Sequence, residues 1–218
     1  MNSTLSTLLA VAVFLILPLL GGVFLYNNLV NKEEQVFSTW AQVESNYQRR
    51  ADLIPNLVKT VSAYLEHERS TLQEVTEARR GDGEAIERLI QELQQAHTEI
   101  QQATDTSTAP DLADPAFLQS FDRAQNRLGR LVGRLLVTVE DYPNLRASDQ
   151  MLALQAQLEG TENRINVARL GFNQSVEAFN RSIRVIPGSL MASLGNFKRK
   201  AYFKADNGAS EAVQVDFQ

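Results

Sequence analysis

The first 31 residues carry no charged side chain, and within them residues 5–25 read LSTLLAVAVFLILPLLGGVFL. No other feature narrows the options of this chain as much. Those 21 residues, coiled as a helix, reach roughly 31 Å, about the thickness of a bilayer's hydrocarbon core. A cleaved signal peptide is the competing reading, but it needs a basic n-region, a shorter apolar run and a small-x-small cleavage site. Residues 1–4 (MNST) are uncharged, the run is longer, and Gly21 and Gly22 lie inside it. The expectation is a short tail (1–4) and a transmembrane helix (5–26).

Orientation follows from the flanking basic residues. None precedes the span, whereas Lys32, Arg49 and Arg50 follow it, which favours a cytoplasmic C-terminal domain. The remaining ~190 residues suffice for one domain with a substantial core. The absence of cysteine excludes disulfides and Cys-ligated zinc, and leaves the compartment open.

Between residues 33 and 80 there is no glycine and one proline. Apolar residues recur at Val36, Trp40, Val43, Tyr47, Ile54, Leu57, Val61, Tyr64, Leu72 and Val75, alternating steps of three and four broken at Arg50 and Glu68. That period predicts a long seam helix. Pro55 predicts either a kink near Ala51 and Asp52, or a restart with Asp52 as cap; Pro18 predicts a bend within the membrane. Gly81, Asp82 and Gly83 predict a turn, followed by a helix with Ile86, Leu89, Ile90, Leu93 and Ile100 on one face.

The stretch ATDTSTAPDLADP (residues 103–115) predicts a loop, closed by Asp114 as N-cap and Pro115 at the first helical position. A third helix is expected from there to about Glu140, its stripe formed by Phe117, Phe121, Ala124, Leu128, Leu131, Leu135 and Val139. Ser148 can cap a fourth, with Met151, Leu154, Leu158, Ile165, Ala168, Phe172, Val176, Phe179, Ile183 and Ile186 as its stripe, ended by Pro187 and Gly188. Leu190, Met191, Leu194 and Phe197 can form a short amphipathic turn, and VQVDF (213–217) is strand-like but too short to stand alone. The expected fold is all-α: a transmembrane helix, then a long antiparallel, coiled-coil-like bundle of three to four helices (27–187), then an amphipathic and basic-aromatic segment with a tail (188–218).

Chemistry is sparse. His67 and Glu68 open a zincin-like pattern, but Thr71 stands where the second histidine must be. Tyr64 and Gln94 stand where a bundle di-iron site requires glutamate. No glycine-rich loop follows a strand, which excludes nucleotide cradles. A net charge of −5 with one short basic cluster makes nucleic acid a poor partner. No catalytic residue, metal or cofactor is expected.

Polar residues on the seams carry more information, because a charge on a buried face is costly unless paired. Arg50, Asp52, Glu162 and Arg169 are candidates for an inter-helix polar ladder, the alternative being that they reach solvent at the seam edge. Asn173 and Asn180 lie seven apart beside the last seam. Gly129 and Gly133 suggest close packing, against a neighbouring helix or another subunit. In FKRKAYFK (197–204), Lys198, Arg199, Lys200, Tyr202, Phe203 and Lys204 combine charge for headgroups with rings for the interface; the alternative is packing on the bundle end.

The blocks YNNLVNKEEQV, QRRADLIPNLVKTVSAYLEHE, LGRLVGRLLVTVEDYPNLRAS, LEGTENRINVARLGFNQSVEAFNRSIRVIPGSLMA and KRKAYFKA…VQVDF resemble, in order, the LemA family of bacterial membrane proteins. Two departures stand out: residues 81–114 exceed the usual connection, and Phe172 and Phe179 occupy places where tyrosines often precede Asn173 and Asn180. The resemblance implies a helical bundle anchored in the bacterial inner membrane with no established enzymatic activity. Some relatives shape internal membranes of magnetosome-forming bacteria, and others are associated with envelope stress and protein quality control. Two functions are therefore expected to compete: a homo-oligomeric scaffold that organises or shapes membrane lipid, and an adaptor for a membrane protease or another membrane-protein partner.

Overall fold

The computed structural model describes the backbone of residues 2–71, 77–105 and 110–204, and the side chains of residues 7, 8, 12–70, 83–102 and 110–204. No strand occurs among the described residues. The tail beyond residue 204, with its strand-like VQVDF, and part of the Thr-Asp-Pro loop lie outside them.

A single helix, α1 (Asn2–Thr71), runs through both Pro18 and Pro55 without interruption. Its 70 residues extend roughly 105 Å. Asp52 therefore caps nothing; it is exposed and accepts a hydrogen bond from Gln48 one turn earlier. Each proline removes one backbone donor, a loss that lengthwise packing offsets in the bundle. The large apolar side chains described between Leu8 and Phe24 are exposed, and from Leu29 onward the seam turns inward: Val36, Trp40, Val43, Tyr47, Ile54, Leu57 and Val61 are buried.

Helix α2 (Glu77–Asp105) begins earlier than the glycines suggest and passes through residues 81–83 as helix. The expected turn at Gly81, Asp82 and Gly83 is thus absent. Glycine costs about 1 kcal/mol per helical position, but Ile86, Leu89, Ile90 and Leu93 gain more by burial on α1 and α3. Helix α3 (Pro115–Val139) starts as expected, Asp114 accepting from the Ala116 amide at 2.8 Å. After a short turn, α4 (Pro143–Arg146), the Ser148 hydroxyl accepts from the Met151 amide and opens α5 (Asp149–Ser182). The helix ends at Ser182, before Ile186, which is exposed rather than part of the stripe. A cis bond joins Ile186 to Pro187, and after the turn α6 (Gly188–Leu194) packs on α1. That reversal requires glycine: a Cβ at position 188 would meet the Ser182 carbonyl oxygen.

Contacts set the directions. Phe121 meets Tyr47, and Tyr142 meets Tyr64, so α3 runs parallel to α1. Glu99 pairs with Arg127 and Glu92 with Arg134, so α2 is antiparallel to α3. Glu162 reaches Arg50 while Ser175 reaches Thr39, so α5 returns along α1. The bundle is therefore up, down, up, down, and its C-terminus arrives back beside the apolar span.

Two apolar clusters divide the interior. The distal one joins Ile54 to Leu65 of α1 with α2, the later part of α3 and the start of α5. The proximal one joins Leu29 to Tyr47 with Leu118, the later part of α5, Ala192 and Phe203. The distal half thus has four helices, and the proximal half is completed by the start of α3 and by residues 197–204.

Candidate functional site

The two clusters meet at a polar layer centred on Arg50. Six residues lie between Tyr47, the last proximal seam residue of α1, and Ile54, the first distal one, and Arg50 fills the turn between them. It is 5 % exposed. Its guanidinium donates to the Gln125 carbonyl at 2.7 Å, to the Gln125 side-chain oxygen at 2.8 Å and to Glu162 at 3.3 Å, and it lies 5.1 Å from the centre of the Tyr47 ring. Burial lowers the Arg50 pKa from its ordinary value, opposed by the nearby Glu162 carboxylate; even so, an arginine starting from so high a value keeps its proton at neutral pH.

Gly129 supplies the room. A Cβ there would lie 3.1 Å from an Arg50 guanidinium nitrogen, whereas one at Gly133 would meet nothing within 4 Å. Of the two glycines, one accommodates the arginine and the other opens on a groove of about 650 Å³ between α2 and α3, lined in part by Arg88, Glu92, Arg130 and Arg134.

One turn nearer the span, Arg169 pairs with Asp122 at 3.0 Å, approaches the Tyr47 hydroxyl at 3.5 Å, and stacks over Phe203 at 4.6 Å. Desolvation raises the Tyr47 pKa, against the pull of Arg169 and Arg50. The ladder thus brings together Arg50, Glu162 and Arg169, while Asp52 faces water on the far side of α1. Its place is taken by residues of α3, Gln125 and Asp122. Helical spacing assigned the α3 stripe to Ala124, yet Ala124 is exposed and Gln125 buried. The signal was present: Gln125 stands four after Phe121 and three before Leu128, a seam position filled by an amide.

The C-terminal strap, residues 197–204, lies antiparallel to α5 and is held by two asparagines. Asn180 accepts from the Lys200 amide and donates to its carbonyl, both at 2.9 Å. Asn173 does the same for Phe203, at 3.0 and 3.1 Å. The match is geometric: seven helical residues rise roughly 10.5 Å, and three extended residues cover about 10 Å. The Ala201 amide also donates to the Leu112 carbonyl at 2.8 Å, tying the strap to the segment before α3.

This arrangement divides the basic-aromatic cluster. Phe203 is buried, its ring 5.9 Å from that of Trp40 and 5.4 Å from that of Phe172. Lys200 is drawn inward onto Glu33 at 2.6 Å, with Phe37 and Phe179 beneath its ammonium. These two side chains pack on the bundle itself. Lys198, Arg199, Tyr202 and Lys204 face outward. Extended backbone alternates sides, so no strap could present all six.

No set of three or more His, Asp or Glu side chains converges on a metal position among the described residues. His67 is exposed and His97 half-buried, on different helices. The layer around Arg50 offers hydrogen bonds already engaged in packing, with no nucleophile held against a base.

The model of the LemA family matches residues 39–217. Magnetosome protein MamQ of Magnetospirillum gryphiswaldense is 29% identical over 187 residues, covering 82% of this chain and 64% of that protein. Magnetosome proteins MamQ 1 and MamQ 2 of Paramagnetospirillum magneticum are each 26% identical over 184 residues, with the same coverage. The chain therefore spans about 64% of the length of the curated relatives it matches.

Proposed function

The chain belongs to the LemA family, and on that premise we propose that it is a non-enzymatic scaffold of the bacterial inner membrane, its bundle on the cytoplasmic side, which self-associates and thereby organises or shapes the bilayer. The observation that carries this reading is the continuity of α1. One helix is exposed and apolar at its start and forms the bundle seam from Leu29 onward, so a force on the bundle is delivered to the span without an intervening loop. The strap and the Arg50 layer stiffen the same unit from the other side. The outward face of α5 supports self-association: Ala156, Asn163, Val167 and Leu170 are exposed in a row at helical spacing, and Gly160 beside them has open space where a Cβ would be.

Gentle extraction of the full-length protein, followed by measurement of particle mass and composition, tests the proposal. A large homogeneous assembly of this chain is expected. A heteromeric particle would instead favour the adaptor function, and a monomer in both mild detergent and nanodiscs would remove the scaffold.

A further inference from the structure

Residues 185–197 (VIPGSLMASLGNF) contain no charged side chain, and the bundle fold places them against the span. Met191 contacts α1 at Gly22, its sulfur 3.9 Å from where a Cβ would stand, and Phe197 meets the Tyr26 ring at 5.6 Å. Ala192 enters the proximal cluster with Leu29. The inner side of α6 is therefore occupied by α1. Its outer side is not: Leu194 is 80 % exposed and Leu190 60 %, and Ile186 in the turn before the helix is 83 % exposed. So much exposed aliphatic surface on one short reversal is unusual for a face bathed in water.

The flanks of this stretch are basic. Arg181 and Arg184 precede it, Lys198 and Arg199 follow it, and all four face outward. An uncharged apolar loop bracketed by exposed cations has the pattern of a segment lying in the headgroup boundary of an anionic leaflet.

Depth follows from helix geometry. Gly22 lies three residues inside Leu25, the last residue of the apolar run, which at 1.5 Å per residue is about 4.5 Å below its end. A segment whose methionine packs at that level cannot remain above the hydrocarbon boundary if the run fills the bilayer core. From this we infer that residues 185–194 form a wedge inserted into the leaflet on the bundle side. Ile186, Leu190 and Leu194 enter the acyl-chain boundary, and Arg181, Arg184, Lys198 and Arg199 engage anionic headgroups. The inference deepens the scaffold proposal and rests on its membrane anchor. It adds a device by which each copy occupies area in one leaflet only, the asymmetry that bends a bilayer.

The chain has no cysteine, so single labels can be placed on the full-length protein at exposed positions. An environment-sensitive fluorophore is attached to Ile186→Cys and to Leu194→Cys, with Phe14→Cys as the span control and Ala156→Cys as the distal control. Each protein is reconstituted into vesicles of phosphatidylcholine and phosphatidylglycerol, carrying nitroxide lipids labelled either near the carbonyl or near the acyl-chain end. Labels at 186 and 194 should give blue-shifted emission and be quenched several-fold more by the shallow nitroxide than by the deep one. The label at 14 should be quenched best by the deep one, and that at 156 by neither. Aqueous emission at 186 and 194 beside a quenched label at 14 would overturn the wedge and leave the anchor standing. Blue-shifted emission without quenching by either lipid would overturn it in favour of coverage by another polypeptide. An unquenched label at 14 would remove the anchor, and the wedge with it.

Discussion

Replacing Arg50 by alanine would test whether the layer between the two cores is held by hydrogen bonds to α3 or by the ion pair to α5. Removing one member of a fully buried charged network costs about 3–5 kcal/mol. Here Glu162 is 53 % exposed, so its carboxylate returns to water, and that pair is worth only about 0.2–1 kcal/mol. The larger loss falls on Gln125, whose side-chain oxygen sits within a residue only 3 % exposed and would lose its donor, at about 1–3 kcal/mol. Vacating the guanidinium's space adds to this, giving about 3 kcal/mol for Arg50→Ala and less than about 1 kcal/mol for Glu162→Gln. Arg50→Met keeps most of the volume and still strands Gln125, whereas Arg50→Met with Gln125→Leu should recover to within about 1 kcal/mol of the parent, since a well-packed apolar replacement of a buried polar set is often neutral. Trp40 is the only tryptophan and lies in the proximal cluster three turns from Arg50, so its fluorescence during urea titration of the protein in detergent micelles reports the order of stabilities. The reasoning is refuted if Glu162→Gln costs as much as Arg50→Ala, or if Arg50→Met alone is neutral.

Three further outcomes follow from the same structure. Asn173→Ala or Asn180→Ala removes two strap hydrogen bonds, about 1–3 kcal/mol of local opening, so amide exchange at Lys200 and Phe203 should accelerate roughly 5- to 150-fold while amides of the distal core are unchanged. Gly133→Ala should raise stability by about 0.5–1 kcal/mol through helix propensity, and Gly129→Ala, pressing on Arg50, should gain less or lose; equal gains would show that Arg50 does not fill the space over Gly129. Tyr47 has a pKa raised above its ordinary 10.0 by burial, so its contribution is complete below about pH 10 and is lost as pH rises through the raised value, because the unfolded chain releases the proton first. Thermal melts of the parent between pH 9 and 11 should show a steeper loss than those of Tyr47→Phe.

The long elements were legible because lengthwise packing writes a period into the chain: the α1 seam from Val36 to Val61 and the α5 stripe from Met151 to Ile183 are buried as their spacing indicated. The helix starts at Asp114 and Ser148 were legible too, since a short oxygen-bearing side chain before an apolar run has one main local use. The misreadings occurred where tertiary contacts overrode local preference. Gly81 and Gly83 have the propensity of a turn, and burial of the following face extends α2 through them. Ala124 looked apolar enough for the α3 stripe, yet the position facing Arg50 belongs to Gln125, whose side-chain oxygen accepts from the guanidinium there. Phe203 and Lys200 carried the composition of a lipid-facing cluster. Their burial depends on Asn173 and Asn180 capturing a strap some 20 to 30 residues later, a pairing that periodicity within one helix does not encode.

The unbroken course of α1 also fixes an angle. Each residue turns the helix by about 100°, and no loop between Leu25 and Leu29 lets the span rotate independently, so the azimuth at which Phe14 or Phe24 meets lipid is geared to the face that α5 occupies far above. One alanine inserted into this stretch would leave composition and length almost unchanged while turning the span by about 100° under an unaltered bundle. Four such insertions would bring it nearly back into phase, at about 400°, so membrane activity should depend on inserted length periodically.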